Sequence, residues 1–323
     1  MRTFRHIDAR TVGEACTLLA QYAGKAVLNA GGTDLLSVLK GRISNEYPEI
    51  IINIKTIRDL EFIRKDANHL IIGALAKLSD MVKSPVLKEG YWVLAEASHS
   101  VATPQVRNMA TLGGNLCQDV RCWYYRYPCS IGGPIACLRK GEGPCLALKG
   151  DNRYHAILGG KKCFAVCPSD TAVALAALDA QINIVSPEGE RSIAVTDFYG
   201  PLNNALRTDE MVSKILVPRI LRQAKQRFFK FTLRKPIDFA IVSVASVIAV
   251  EDGICTDARI VLGAVAPTPV RAKEAEKAIV GRYINEDAAA EAAEQAVAGS
   301  KPLSKNAYKV EIAKTLVRRA ILG

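Results

Sequence analysis

The chain has 323 residues, 49% of them apolar and 23% charged, and a formal net charge of +11. This excludes a disordered or fibrous chain and leaves room for two or three domains with their own cores. Lys and Arg are spread out, as at Lys161–Lys162 and Arg318–Arg319, with no basic tail and no nucleic-acid motif. The surplus therefore suits bound phosphates or an acidic protein partner, and nucleic acid is not expected.

The opening stretch, MRTFRHIDARTVGEA, carries charges where a signal peptide needs an apolar core. No stretch approaches the roughly 18 apolar residues of a membrane span, so a cytoplasmic protein is expected. Residues 1–55 read as a small α/β unit: a helix from Thr11 to Tyr22, a strand Ala26–Asn29, a Gly31-Gly32 turn, a helix Asp34–Leu39 and a strand Ile50–Ile54. Residues 56–219 read as a second α/β region, with strands Leu70–Gly73, Ala180–Val185 and Lys214–Pro218 and a helix near Tyr91–Ser100. From 220 to 323 a third unit follows. It has a hairpin of Ala240–Val250 and Ala258–Ala264 about Glu251-Asp252-Gly253, then helices over 271–280, Glu286–Ala298 and Val310–Leu322. In the last helix Val310, Ala313, Val317, Ala320 and Ile321 share a face that should dock on the sheet. The architecture is α+β.

Seven of the nine cysteines, Cys117, Cys122, Cys129, Cys137, Cys145, Cys163 and Cys167, fall in one stretch. Cys16 and Cys255 lie elsewhere and read as packing residues. In a reducing compartment the seven are not expected to form disulfides. Thiolates are soft ligands that suit structural zinc or an iron–sulfur cluster. Successive gaps of four, six, seven, seven, seventeen and three residues contain no C-x2-C knuckle. That favours a cluster modestly, because a long wrapping loop can surround a cubane larger than one ion. The segment also holds Gly132, Gly133, Gly141 and Gly143 and lacks periodicity, so something must fix it in place.

Two glycine elements stand out. Ala30-Gly31-Gly32-Thr33-Asp34-Leu35-Leu36 sits between a strand and a helix, where backbone N–H groups can approach a phosphate. Thr33 could bond that phosphate or cap the helix. Ala110-Thr111-Leu112-Gly113-Gly114-Asn115-Leu116 runs straight into the cysteine block. Neither is the G-x-G-x-x-G fingerprint, and each alone is compatible with a plain tight turn.

Together these pieces resemble the FAD-binding medium subunit of the molybdenum hydroxylases, the xanthine dehydrogenase and carbon monoxide dehydrogenase family. The resemblance rests on both glycine elements, the second beginning at Val106-Arg107-Asn108-Met109. It continues in Pro168-Ser169-Asp170, Lys230 with Arg234, Asp238-Phe239-Ala240, Ser243-Val244-Ala245 and Gly263-Ala264-Val265-Ala266-Pro267, all in family order. It implies a two-subdomain FAD-binding domain of the vanillyl-alcohol oxidase/CO dehydrogenase flavoprotein type over 1–55 and 56–219. An α/β C-terminal domain over 220–323 completes it. The cysteine block, 117–167, resembles the 4Fe–4S insertion of the 4-hydroxybenzoyl-CoA reductase β subunit and of the FAD subunit of periplasmic-type aldehyde oxidoreductase.

By this resemblance Leu28, Asn29, Ala30, Gly31, Gly32, Thr33, Asp34 and Leu35 hold FAD, with Thr111, Gly114 and Asn115 completing that side. Asp170 would accept from ribityl or ribose hydroxyls, or else cap the helix Thr171–Leu178. Lys230 would stand near the flavin ring and raise its potential, or else be a solvated surface lysine. The implied cluster ligands are Cys122, Cys129, Cys145 and Cys163, with Cys137 competing for the fourth place; Cys117 and Cys167 have no assigned role. His6, His69, His99 and His155 are scattered and read as structural. No nucleophile or acid–base dyad is visible, so no catalytic residue is assigned. The resemblance gives substrate chemistry to a molybdopterin-binding large subunit, with 2Fe–2S centres on a small subunit and ferredoxin or NAD as outside carrier. An aromatic acyl-CoA, an aldehyde and an N-heterocycle all stay open as substrates. The competing readings are a self-sufficient flavin oxidoreductase and a zinc-stabilised, non-enzymatic adaptor.

Overall fold

The computed structural model describes residues 1–44, 46–133, 135–220, 224–234 and 237–323. The first unit is a parallel sheet of β1 (Arg5–Asp8), β2 (Ala26–Asn29) and β3 (Ile50–Asn53), in the order β1-β3-β2. Ile50, Ile51 and Ile52 are all buried, as a central parallel strand covered on both faces requires. Helices Val12–Gln21 and Leu35–Gly41 make the crossovers. Thr11 caps the first, its Oγ1 accepting from the Glu14 N–H.

Five antiparallel strands build the second sheet: β4 (Ile63–Lys65), β5 (His69–Gly73), β6 (Gln181–Ser186), β7 (Gly189–Ala194) and β8 (Met211–Pro218). Their order is β4-β5-β8-β6-β7. Helices Trp92–His99 and Asp170–Ala177 share its core, and every residue of the latter is buried.

The third sheet holds β9 (Ala224–Phe231), β10 (Val242–Glu251), β11 (Ile254–Gly263) and β12 (Val270–Arg271), antiparallel in the order β12-β11-β10-β9. Along β10 the two-residue period sorts side chains between two cores. Val242, Val244 and Ile248 pack with Leu316, Val317, Ala320 and Ile321 of helix Tyr308–Leu322, so the last helix docks on the sheet as its sequence face requires. Ala245 and Val247 join the core that contains Val173.

Between helices Leu112–Cys117 and Asp170–Ala177 the helical elements of the cysteine-rich segment, among the described residues, are short 3-10 turns at Cys129–Ile131, Leu138–Lys140 and Leu146–Leu148. Its two ends are pinned where Arg121 and Val166 exchange backbone hydrogen bonds of 3.0 and 3.1 Å. Its far side is fastened to the third unit. The Asn306 amide donates to the His155 and Ala156 carbonyls, and the buried Lys309 ammonium donates to His155 O at 3.0 Å and Ala264 O at 2.6 Å. Among the described residues no helix is long and apolar enough to cross a membrane.

Candidate functional site

The turn after β2 has to be glycine. A Cβ on Gly31 would stand 2.1 Å from the Met109 carbonyl oxygen, so only a bare backbone lets this turn lie against Met109–Ala110. Gly32 takes φ +70°, the left-handed region. Met109–Ala110 leads into the second glycine element, so the two motifs abut in space. There Thr111 caps helix Leu112–Cys117, its Oγ1 accepting from the Gly114 N–H at 3.2 Å. Gly113 lies against Ala74, whose Cβ a methyl group would meet at 2.9 Å.

Both elements line one cavity of about 570 Å³, in the size range of cofactor sites. Leu28 through Leu35, Thr111 and Gly114 form one side; Tyr199, Asn203, Asn204 and Arg207 come from far along the chain. Asn29 Oδ1 lies buried there without a hydrogen-bond partner, an acceptor that fits a ligand hydroxyl or amine. Glycine-lined backbone and this unpaired acceptor fit a dinucleotide. Among the described residues no histidine lines the cavity.

Three residues expected at the cofactor are employed elsewhere. Asn115 is buried, and its Oδ1 accepts from Ser169 Oγ at 2.7 Å and Thr171 Oγ1 at 2.6 Å, tying together the two helices that flank the insertion. Ser169 is the cap of helix Asp170–Ala177, accepting from the Ala172 N–H. Asp170 stands in the first turn and pairs at 2.7 Å with Lys230 Nζ, which also donates to Ser100 O. Neither Asp170 nor Lys230 lines the cavity, and the Lys230 side chain is only 9% exposed, so it is no solvated lysine. Burial pushes the Asp170 carboxyl above its ordinary value, although Lys230 and Ser100 draw it down.

Asp34 does line the cavity, but its carboxylate serves the insertion. It accepts from Arg121 and Arg126, each at 2.9 Å, and from the Asp119 N–H at 2.9 Å. Burial alone would raise its pKa; the two guanidiniums hold it below the ordinary value.

The thiols sort into sets that spacing did not reveal. Cys122, Cys137, Cys145 and Cys163 line a second, smaller cavity with Tyr124, Tyr125 and Arg139. Cys129 is absent from that lining and begins a 3-10 turn instead. Burial, with Cys163 and Cys145 beside it, pushes the Cys122 thiol up to about 11. Cys117 and Cys167, both pushed by burial to about 12, form a separate group beside Tyr199. Cys16 and Cys255 are buried packing residues. His155, read as merely structural, is buried with Nε2 3.1 Å from Cys122 Sγ. The two are 33 residues apart in an aperiodic loop, and only the density of cysteines around the histidine hinted at it. Among the described residues no three His, Cys, Asp or Glu side chains gather closely enough for a single metal ion.

A cofactor cavity walled by two abutting glycine turns, between a parallel βα unit and an antiparallel sheet, defines a flavoprotein of the CO dehydrogenase medium-chain type. Residues 2–220 match the FAD binding domain in molybdopterin dehydrogenase, and residues 227–323 match the CO dehydrogenase flavoprotein C-terminal domain. The aldehyde oxidoreductase FAD-binding subunit of Escherichia coli is 34% identical over 97% of this chain and 96% of its own. The nicotinate dehydrogenase FAD-subunit of Eubacterium barkeri is 28% identical over 87% and 81%. The solved carbon monoxide dehydrogenase of Hydrogenophaga pseudoflava superposes with a TM-score of 0.79 at 28% identity, covering 99% of this chain and 96% of that one. The chain belongs to the FAD-binding subunit family of the molybdenum hydroxylases, and it is an oxidoreductase subunit.

Proposed function

We propose that this chain carries both FAD and a 4Fe–4S cluster and works as the electron-transfer subunit of a heteromeric molybdenum hydroxylase or reductase. The observation that carries the reading is the gathering of four thiols, Cys122, Cys137, Cys145 and Cys163, around one small cavity in the segment that follows the second glycine turn. Four thiolates suit either a 4Fe–4S cluster or structural zinc, and the absence of any C-x2-C knuckle among them favours the cluster. The cavity lining favours Cys137 over Cys129 as the fourth ligand.

FAD in the larger cavity would exchange electrons in pairs and the cluster singly. The chain's own part is to bind and orient: Gly31 and Gly32 bring bare backbone to the dinucleotide, and Asn29 offers an acceptor. Substrate is turned over on a molybdopterin-binding large subunit, with 2Fe–2S centres on a small subunit and ferredoxin or NAD as the outside carrier; the large subunit's pocket sets the substrate. The solved carbon monoxide dehydrogenase of Hydrogenophaga pseudoflava and the aldehyde oxidoreductase relative support this division of labour.

The test is anaerobic purification of the full chain with flavin, iron and acid-labile sulfide analysis. About one FAD and about four irons per chain are expected, with an EPR signal on reduction. Cys137→Ser should lose the iron while Cys129→Ser keeps it. A yellow, iron-free protein after reconstitution would leave a plain flavin subunit.

A further inference from the structure

Two side chains of the insertion face both cavities. Tyr125 and Arg139 line the glycine-walled cavity and also the thiol cavity, so they form a wall common to the two. Arg139 sits in the 3-10 turn Leu138–Lys140, two residues after Cys137. Its guanidinium lies 5.7 Å over the Tyr125 ring, and one amino group donates to Pro201 O at 3.1 Å. The Tyr125 hydroxyl donates to Asp119 Oδ2 at 2.5 Å.

The charges around this wall do not balance. Arg121 and Arg126 bond to Asp34 at 2.9 Å, whereas Arg139 only approaches Asp119, at 3.7 Å. Three guanidiniums thus meet two carboxylates. The Arg139 side chain is 10% exposed, and its Nε is buried with no hydrogen-bond partner. A buried guanidinium N–H without an acceptor is costly unless a ligand supplies one. An anionic oxygen in the cavity would satisfy both the unpaired donor and the surplus charge.

We propose that the cysteine-rich insertion is part of the flavin site: Arg139 is a phosphate-binding residue for the dinucleotide, so the loop that carries the thiols also closes the FAD cavity. This rests on the proposed FAD and 4Fe–4S assignment and adds a residue outside both glycine elements. Occupancy of the two sites is then coupled, because the turn that orients Arg139 hangs from Cys137.

The test titrates deflavinated full-length chain with FAD, following flavin fluorescence, and measures iron on the same samples. Arg139→Gln should weaken FAD binding about tenfold or more, the value of a charge-assisted hydrogen bond, with iron content unchanged. Arg139→Lys should recover a large part of that loss. Riboflavin, which has no phosphate, should bind wild type and Arg139→Gln alike. Cys137→Ser should lose iron and weaken FAD together. Equal FAD affinity in wild type and Arg139→Gln overturns this assignment alone. Parallel loss of iron and flavin in Arg139→Gln makes the residue a support of the loop and also overturns it. A wild-type chain that takes up no FAD overturns the functional reading itself.

Discussion

At Gly31 one methyl group decides whether the two glycine turns can touch. The Cβ of an alanine would fall 2.1 Å from a backbone carbonyl, which no side-chain rotation relieves. Gly31→Ala should therefore push Met109–Ala110 away, lower stability by about 1–3 kcal/mol as overpacking does, and strip flavin from the purified chain. Gly90→Ala, where a Cβ meets nothing within 4 Å, is the control. Flavin-to-protein ratio and thermal midpoint read both effects. At His155 the decisive group is a proton. Burial, helped by Lys309, lowers its pKa to about 4, so the ring is neutral near pH 7. The tautomer protonated on Nε2 makes that nitrogen, 3.1 Å from Cys122 Sγ, the donor and leaves only an unpaired acceptor at Nδ1. A hydrogen bond to a ligand sulfur stabilises the more negative, reduced state of the proposed cluster. His155→Phe should keep its iron and show a lower reduction potential in an EPR-monitored titration. An unchanged potential would show that no such bond operates.

Elements in this chain are joined by polar pairs as much as by apolar packing. The Lys230–Asp170 pair ties β9 to helix Asp170–Ala177, with both side chains under a tenth exposed. Lys230→Met leaves a buried carboxylate alone and should cost about 3–5 kcal/mol in denaturant unfolding, with Asp170→Asn in the same chain recovering much of it. If instead stability holds and the flavin potential falls, Lys230 serves the ring as the family resemblance implied. The longer helices were legible in the sequence because their apolar faces repeat, as in Val310–Leu322, whereas helices of four to six residues such as Leu78–Lys83 and Val195–Phe198 are too short to show a period. Strands β1, β7 and β9 were not: RHID is mostly exposed, GERSIA is part exposed and part half-buried, and AKQRFFKF is half buried along most of its length with no alternation. The glycine turns were legible since steric need leaves a residue type behind. Which cysteines line one cavity was not, nor were Tyr125, Arg139 and His155. An aperiodic loop brings these together, and spacing says nothing about which side chains converge.

Across the whole molecule the three units meet around the insertion, and Lys309 is where the last helix grips it. Its ammonium is completely buried among backbone carbonyls of His155, Ala264 and Tyr154, with no carboxylate bonded to it among the described residues. Burial pulls its pKa from 10.5 to about 7. In the unfolded chain the same amine keeps its proton to near its ordinary value. Over the interval between these two values the unfolded state therefore binds more protons, and stability rises with pH. The urea midpoint of the full chain should climb from pH 7 to pH 8. Lys309→Met loses hydrogen bonds to the same carbonyls, so its midpoint should be lower at both pH values, and the slope is the informative quantity. The climb should vanish in that variant. The buried thiols, Cys122 among them, are raised by burial and act in the opposite direction, lowering stability once the unfolded thiols begin to ionise above about pH 8. His155, at about 4, acts below the window, so neither supplies a rise. A climb that survives in Lys309→Met would place the pH-sensitive group elsewhere and leave this lysine charged in its cage of carbonyls, held there by hydrogen bonds alone.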